Sequence, residues 1–160
     1  MRLYLDTSVY SGYYDEIHHE HTKVLFDRIN ERGIDVIVSV FVNDELKRAS
    51  HIKKRNSLSL LDKFKVVTPT PRQQIKVNTL VDAYIKEGVL TKNCEVDAMH
   101  VAFAVISNAT VVVSNNMRHM VNRQNQFNVL NLRLFDKTIT ILRPQEIIKT
   151  LQGYENLQKK

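Results

Sequence analysis

The sequence carries near its start the run Arg2-Leu3-Tyr4-Leu5-Asp6, in which three apolar residues are followed by a carboxylate. Short apolar runs of this kind are typical of strands that are buried on both faces, as in a parallel sheet. In open α/β sheets, ligands bind at the carboxyl ends of the strands. The position of Asp6 therefore predicts a central strand with a functional carboxylate at its end.

Strand-like and helix-like segments alternate along the rest of the chain. Four further strands are predicted, at residues 34–39, 65–67, 110–114 and 138–142. Helices are predicted at residues 18–32, 71–88, 94–107 and from Pro144 onward. This alternation indicates a three-layer α/β/α sandwich with a central, mainly parallel sheet. We expect one domain over residues 1–150 and a C-terminal tail over residues 151–160 that frays from Gly153.

Composition indicates a soluble globular chain of a single domain, because its 160 residues are 43% hydrophobic and 25% charged. No apolar run approaches the roughly 20 residues that span a bilayer, so no membrane partner is expected. Cys94 is the single cysteine of the sequence. It excludes an internal disulfide and fits a reducing compartment. We therefore expect a cytoplasmic protein.

The charge of the chain favours an anionic partner, since the formal net charge is +6 and the pI is about 9.5. Basic residues cluster directly after Glu45, and a second group follows the apolar run 111–113. Lysine and arginine clusters that neutralise phosphates supply most of the non-specific affinity for nucleic acid. The alternative is a solvated helix face that keeps the protein soluble.

Two further carboxylates occupy positions comparable to that of Asp6. Glu45 follows the predicted strand at 34–39, and Asp97 lies at the start of the predicted buried helix 94–107. If these elements meet at one edge of the sheet, the three carboxylates converge on a pocket for a hard divalent cation. Each also has a simpler explanation: Asp6 and Asp97 as helix caps or dipole partners, and Glu45 as an exposed helix charge.

Four short motifs together resemble the PIN domain family. They are Leu5-Asp6-Thr7-Ser8, Glu45 after the second strand, Asp97-Ala98-x-His100-x-Ala102, and Ser114-x-Asn116 after the fourth strand. Each motif is short, and it is their order and spacing over residues 1–148 that make the match specific. The resemblance implies a metal-dependent nuclease, similar to the VapC-type ribonuclease toxins of toxin–antitoxin pairs.

The resemblance also implies roles for particular residues. Asp6, Glu45 and Asp97 would be the catalytic residues and would bind Mg²⁺ or Mn²⁺, with Asn116 as a further metal ligand. An RNA phosphodiester would then be hydrolysed by a metal-activated water. RNA and an antitoxin protein are the implied partners, and a homodimer is also expected. RNA contacts are expected from hydroxyl and basic side chains: Thr7, Ser8, Lys47, Arg48, Lys53, Lys54, Arg55 and Arg118.

Asn116 departs from the family pattern, which usually has a fourth Asp at this position. An Asn offers a carbonyl oxygen to a hard cation but no negative charge, so one metal ion fits this chain better than two. The alternative function is therefore a PIN-like RNA-binding or protein-interaction module with weakened or lost catalysis. His100, one helical turn after Asp97, could orient a ligand or could be a core residue.

Overall fold

A computed structural model describes the backbone of residues 1–158 and their side chains except those of residues 53, 54 and 154–158. Within this part of the chain, five strands form one sheet: β1 Arg2–Leu5, β2 Asp35–Ser39, β3 Val66–Val67, β4 Val111–Val113 and β5 Thr140–Leu142. Their order is β3-β2-β1-β4-β5, and every neighbouring pair is parallel. The predicted three-layer sandwich around a parallel sheet is confirmed.

Helices flank the sheet and follow the strands in the chain. They are α1 Thr7–Gly12, α2 His19–Arg32, α3 Val40–Arg48, α4 Ile52–Asn56, α5 Leu58–Leu61, α6 Pro71–Lys86, α7 Glu95–Ile106, α8 Gln124–Phe135 and α9 Pro144–Gln158. Helices α2, α6 and α7 and the start of α9 were predicted from the sequence. Helix α8 was not predicted, because Val129 and Leu132 are apolar but exposed, so apolar residues are not confined to the face that buries Phe127 and Leu130.

The helices that were predicted begin and end where local signals place them. Thr70 and Gln73 form a reciprocal capping box at the start of α6. Gly33 after α2 and Gly88 after α6 have φ of 58° and 72°, a left-handed conformation that glycine adopts without a steric penalty. These ends set the lengths of the helices that lie between β1 and β2 and between β3 and β4.

The last helix continues beyond the position where the sequence predicted its end. α9 runs through Gly153 to Gln158, because a single glycine costs a helix only about 1 kcal/mol and does not by itself end it. Its buried residues Ile147 and Leu151 help to pack it against α2, and Arg32 donates a hydrogen bond to the Leu151 carbonyl at 3.1 Å. The division into a domain over 1–150 and a tail over 151–160 stays a prediction.

β1 lies at the centre of the sheet. β2 and β3 lie on one side of it, and β4 and β5 lie on the other. Leu3, Tyr4 and Leu5 are fully buried between β2 and β4. Just beyond the strand, the Asp6 N–H donates to the Val113 carbonyl at 3.1 Å, so the ends of β1 and β4 lie side by side. This is the type of crevice in which open parallel sheets bind ligands. None of the helices in residues 1–158 is long and apolar enough to cross a membrane.

Candidate active site

The Asp6 carboxylate is buried at the end of β1, with 3% of the residue exposed. Its Oδ1 accepts hydrogen bonds from the Ser8 hydroxyl at 2.5 Å and the Val9 N–H at 3.3 Å, so Asp6 caps α1. Its Oδ2 accepts a bond from the Ser114 hydroxyl at 2.7 Å. Burial raises the pKa of Asp6, and this outweighs the nearby His100 and the three hydrogen bonds, which act in the opposite direction.

Glu45 extends from α3 and is held by donors from two other elements. Its Oε2 accepts a hydrogen bond from the Thr7 hydroxyl at 2.6 Å and lies 3.0 Å from His100 Nε2. The other ring nitrogen, Nδ1, lies 2.6 Å from the Tyr4 hydroxyl, which in turn lies 2.7 Å from Ser39 Oγ. Burial raises the pKa of Tyr4, so its hydroxyl stays protonated.

The chemistry of the partners assigns the hydrogen-bond directions along the buried chain. The Glu45 carboxylate can only accept, so the Nε2–H of His100 donates to it, and in that tautomer Nδ1 accepts from the Tyr4 hydroxyl. Ser39 Oγ accepts from the Val42 N–H and donates to Tyr4, which also fixes the start of α3. His100 is thus a buried residue that also contacts Glu45, and the interpretation that it orients a metal ligand stays a prediction.

Asp97 lies in the first turn of α7 and is more accessible than Asp6, with 24% of its side chain exposed. One oxygen, Oδ2, accepts a hydrogen bond from Asn116 Nδ2 at 3.2 Å and lies 3.1 Å from His119 Nδ1. Asn116 Oδ1 accepts a bond from the His119 N–H at 3.1 Å. The loop after β4 therefore holds Asp97 through both of these side chains.

The three carboxylates line one cavity of about 190 Å³ at the carboxyl edge of the sheet. We call it the acidic cavity, and its walls are formed by Asp6, Thr7, Ser8, Ser11, Glu45, Asp97, His100 and Asn116. Most of these side chains present oxygen atoms, which are the ligands that Mg²⁺ and Mn²⁺ prefer. The donor set therefore fits a hard divalent cation.

The three carboxylates are spaced more widely than a closed metal site. Among the described residues, the group of three His, Cys, Asp or Glu side chains whose ligand atoms all lie within 4.8 Å of one another is Cys94, Asp97 and His119. Asp6 and Glu45 instead turn towards the hydroxyl groups of Ser8 and Thr7. The assignment of Asp6, Glu45 and Asp97 as joint metal ligands stays a prediction.

Comparison with known proteins identifies the family. The sequence model of the PIN domain matches residues 3–121 of this chain. The chain belongs to the PIN domain family. No curated protein sequence matches it.

Solved structures with the same fold include chains of VapBC complexes from three bacteria. A chain of VapBC2 from Rickettsia felis, bound to a promoter DNA fragment, has a TM-score of 0.60 and 15% identity, over 89% of this chain and 98% of that one. A chain of DNA-bound VapBC from Salmonella typhimurium has a TM-score of 0.59 and 17% identity, over 90% of this chain and 98% of that one. A chain of VapBC-1 from nontypeable Haemophilus influenzae has a TM-score of 0.59 and 15% identity, over 91% of this chain and 99% of that one.

The predicted RNA-contacting residues of this PIN domain lie in different surroundings. Thr7 and Ser8 donate to Glu45 and Asp6 inside the acidic cavity, whereas the basic side chains of Lys47, Arg48, Arg55 and Arg118 are exposed. The side chains of Lys53 and Lys54 lie outside the described residues. Two further cavities, of about 490 and 360 Å³, adjoin the acidic cavity: the first shares Ser8, Ser11 and Asn116 with it, and the second shares Glu45 and includes Arg48.

Two parts of the site of this PIN domain were not predicted from the sequence. Ser114 was noted only as part of a motif, yet it donates to Asp6 and its Oγ also accepts from the Asn116 N–H at 2.9 Å. His119 and Cys94 were not connected with Asp97. A signal for His119 was present, because it lies three residues after Asn116, in the loop that follows β4.

Proposed function

We propose that this PIN domain is a divalent-metal-dependent endoribonuclease, the toxin of a toxin–antitoxin pair, that acts on RNA in the cytoplasm. The observation that carries the proposal is the convergence of Asp6, Glu45 and Asp97 on one cavity. That cavity lies where parallel sheets bind their ligands. Family membership supports nuclease chemistry at the same edge of the sheet.

Mg²⁺ or Mn²⁺ fits this cavity because its ligand atoms are mainly carboxylate and hydroxyl oxygens. Asp6, Glu45 and Asp97 would hold the ion, and the carbonyl oxygen of Asn116 is a candidate further ligand. When bound, such an ion supplies activation of water and neutralisation of the negative charge that develops on phosphorus. Three carboxylates balance the charge of one divalent ion better than that of two.

The chain itself contributes orientation and a partly desolvated charge. Ser8 and Ser114 fix Asp6, and Thr7 and His100 fix Glu45, so both carboxylates are oriented before any ligand arrives. Burial of Asp6 makes its ionised form unfavourable, and a cation beside it would relieve that cost. This favours cation binding at the Asp6 side of the cavity.

RNA is the proposed substrate because basic and polar surface adjoins the acidic cavity. Arg48 and Glu45 line the same neighbouring cavity, and Lys47 lies beside them in the last turn of α3. The larger neighbouring cavity, of about 490 Å³, shares Ser8 and Asn116 with the site. Binding through phosphate contacts should weaken as salt concentration rises.

The proposed antitoxin partner rests on likeness to chains that were solved as VapBC complexes, and the proposed homodimer rests on the family resemblance. Size-exclusion chromatography with light scattering on the purified chain tests the dimer. Co-purification with the product of an adjacent gene tests the antitoxin. A chain that is monomeric and inhibited by no such product would contradict these two assignments and leave the nuclease proposal standing.

Cleavage of mixed RNA in Mg²⁺, Mn²⁺ or EDTA tests the function directly. We expect cleavage with either ion, none in EDTA, and restoration when the ion is added back. Glu45→Gln should abolish cleavage, whereas the matched variant Glu20→Gln, at an exposed position of α2, should retain it. Cleavage in EDTA equal to that in Mg²⁺ would contradict the proposal.

A binding module without catalysis is the second candidate, and one observation favours it. Asn116 and His119 both contact Asp97 Oδ2, so this carboxylate already has partners without a cation. Such a module would bind RNA equally in Mg²⁺ and EDTA and would leave it intact. Filter binding beside the cleavage assay separates the two candidates.

A further inference from the structure

A second group of potential metal ligands lies against the acidic cavity, and we call it the Cys94 cluster: Cys94, Asp97 and His119. Cys94 Sγ lies 3.6 Å from His119 Nδ1, and the same nitrogen lies 3.1 Å from Asp97 Oδ2. The three ligand atoms all lie within 4.8 Å of one another. Each of the three residues is partly exposed, so an ion and water can reach them.

The spacing of these atoms suits a tetrahedral ion. With Zn–S of about 2.3 Å and Zn–N and Zn–O of about 2.0–2.2 Å, the ligand atoms of a tetrahedral site lie about 3.4–3.6 Å apart. The Cys94–His119 distance already has this value. The distance between Asp97 and His119 is slightly shorter, as expected when a hydrogen bond rather than an ion joins them.

The chemistry of the cluster differs from that of the acidic cavity. One thiolate, one imidazole and one carboxylate are ligands for a borderline-soft ion such as Zn²⁺, whereas Mg²⁺ prefers oxygen alone. We infer that Cys94, Asp97 and His119 form a binding site for Zn²⁺ or a similar transition-metal ion, and that its occupancy inhibits the acidic cavity by engaging Asp97. Three protein ligands leave the fourth position to water.

Neighbouring groups already orient two of the three ligands. Asn116 donates from Nδ2 to Asp97 and accepts at Oδ1 from the His119 N–H, so one side chain ties both residues together. Support of this kind around metal ligands typically changes affinity by about 10–100-fold. An Asp at position 116 would have no proton to donate to Asp97 at neutral pH, so the Asn that departs from the family pattern suits this cluster.

Asp97 links the two sites. Its Oδ2 faces the Cys94 cluster, and its side chain also lines the acidic cavity. An ion held by the Cys94 cluster either takes this carboxylate away or places a second divalent charge beside the cavity, and both effects oppose binding of Mg²⁺ there. The inhibitory part of the inference rests on the proposed nuclease function, whereas the binding part does not.

Titration of the full chain with Co²⁺, a spectroscopic substitute for Zn²⁺, tests the binding part without any RNA. Cys94 is the single cysteine of the sequence, so a thiolate-to-cobalt charge-transfer band can come from this residue alone. We expect the band to saturate at one ion per chain and to disappear when Zn²⁺ is added. Cys94→Ser should lose the band, and His119→Gln should weaken Co²⁺ affinity by at least about 10-fold.

His21→Gln is the matched control, since His21 is exposed on α2 and should leave the band unchanged. No band in the folded wild-type chain would overturn the site. Saturation at half an ion per chain would also overturn it, because the ion would then be shared by two copies. Circular dichroism of each variant establishes that the fold is retained, and His119→Gln keeps the test decisive if Cys94→Ser does not fold.

The inhibitory part is tested by the ratio of RNA cleavage rates in Mg²⁺ with and without Zn²⁺. We expect this ratio to be about 0.1 or lower in the wild type, because Zn²⁺ then slows cleavage at least about 10-fold. In Cys94→Ser we expect the ratio to stay near one. An equal fall in both proteins would overturn inhibition through the Cys94 cluster. Absence of any cleavage in Mg²⁺ would instead contradict the nuclease proposal, and the Co²⁺ titration would still decide the site.

Discussion

Asp6 and Asp97 both line the acidic cavity, but their carboxylates are held in different ways. Asp6 is buried and receives hydrogen bonds on both oxygens from groups next to β1 and β4. Asp97 is partly exposed, and its two contacts from the loop after β4 both fall on Oδ2. The Asp6 carboxylate is therefore fixed by the first turn of α1 and by the residue after β4, whereas the Asp97 carboxylate on α7 receives both contacts from the loop after β4.

This difference suggests separate tasks for the two carboxylates. Burial disfavours the ionised form of Asp6 and raises its pKa, so a cation that binds beside this fixed carboxylate would relieve that cost. Asp97 receives both of these side-chain contacts from the loop after β4, so we expect this loop to influence how Asp97 binds an ion. The variants below test this division, from the largest expected effect to the smallest.

Asp97→Asn should abolish cleavage while leaving the fold intact, because it removes a negative charge from the cation site but keeps a polar side chain of the same shape at the start of α7. Several kcal/mol of stabilisation by the ion would be lost, which corresponds to a rate loss of about 100-fold or more. RNA cleavage rates measure this. Asp82→Asn, at an exposed position of α6, is the matched control. Full activity of folded Asp97→Asn would remove Asp97 from the site.

His100→Gln tests the orientation of Glu45, because it interrupts the hydrogen-bond chain from Tyr4 to Glu45. A residue that orients a metal ligand typically contributes about 10–100-fold in affinity, so Mn²⁺ binding should weaken by that factor. Calorimetric titration with Mn²⁺ measures it, with His21→Gln as the control. Equal affinity in His100→Gln and wild type would mean that Glu45 does not need this orientation.

Asn116→Asp tests the contacts around Asp97, because it adds a negative charge and removes the side-chain donor that Asn116 presents to Asp97. One additional close charge is worth about 1 kcal/mol or more at an effective dielectric near 20, so Mn²⁺ affinity should rise about 10-fold. The variant Asn116→Ala loses the donor without gaining the charge and separates the two effects. Unchanged Mn²⁺ affinity in Asn116→Asp would show that residue 116 does not contribute a ligand.

Asp6→Asn tests the cost of the buried charge. Because burial raises the pKa of Asp6, the folded chain binds this proton more tightly than the unfolded chain. Stability is therefore lost as pH rises from the unfolded pKa, about 3.9, through the raised folded value.

Without divalent ions at neutral pH, Asp6→Asn should gain on the order of 1 kcal/mol, or about 2–4 °C in Tm. Its Tm should also fall less than that of the wild type between pH 4 and pH 7. Thermal unfolding in EDTA at both values measures this, with Asp82→Asn as the control. A lower Tm for Asp6→Asn would show that the hydrogen bonds to the carboxylate outweigh its burial.

The sequence was sufficient to predict the parallel sheet and the position of Asp6 at the end of a central strand. Apolar runs such as Leu3-Tyr4-Leu5 indicate buried strands, and a parallel sheet then brings the groups that follow its strands to one edge. For that reason Asp6 and Ser114 could be expected at the same edge of the sheet, whereas the hydrogen bond that joins their side chains was not predicted. Asp97 was also recognisable, as a charge in the first turn of a helix that is otherwise buried.

The contacts of Asp97 with the loop after β4 could not be predicted in the same way. Which of Asn115, Asn116 and His119 turns towards Asp97 depends on the path of the loop after β4, and spacing along the chain does not fix side-chain directions in a loop. The contact between Cys94 and His119 has the same origin. In contrast, α8 was missed because apolar residues occur on its exposed side as well as its buried side.

The central claim is that Asp6, Glu45 and Asp97 together bind one divalent cation in the acidic cavity. An anomalous difference map from a crystal of the full chain soaked in Mn²⁺ tests this most directly. We predict one strong peak in the acidic cavity, within direct coordination distance of all three carboxylates, and its absence from Asp97→Asn. A map without a peak there, or with its only peak at the Cys94 cluster, would contradict the claim.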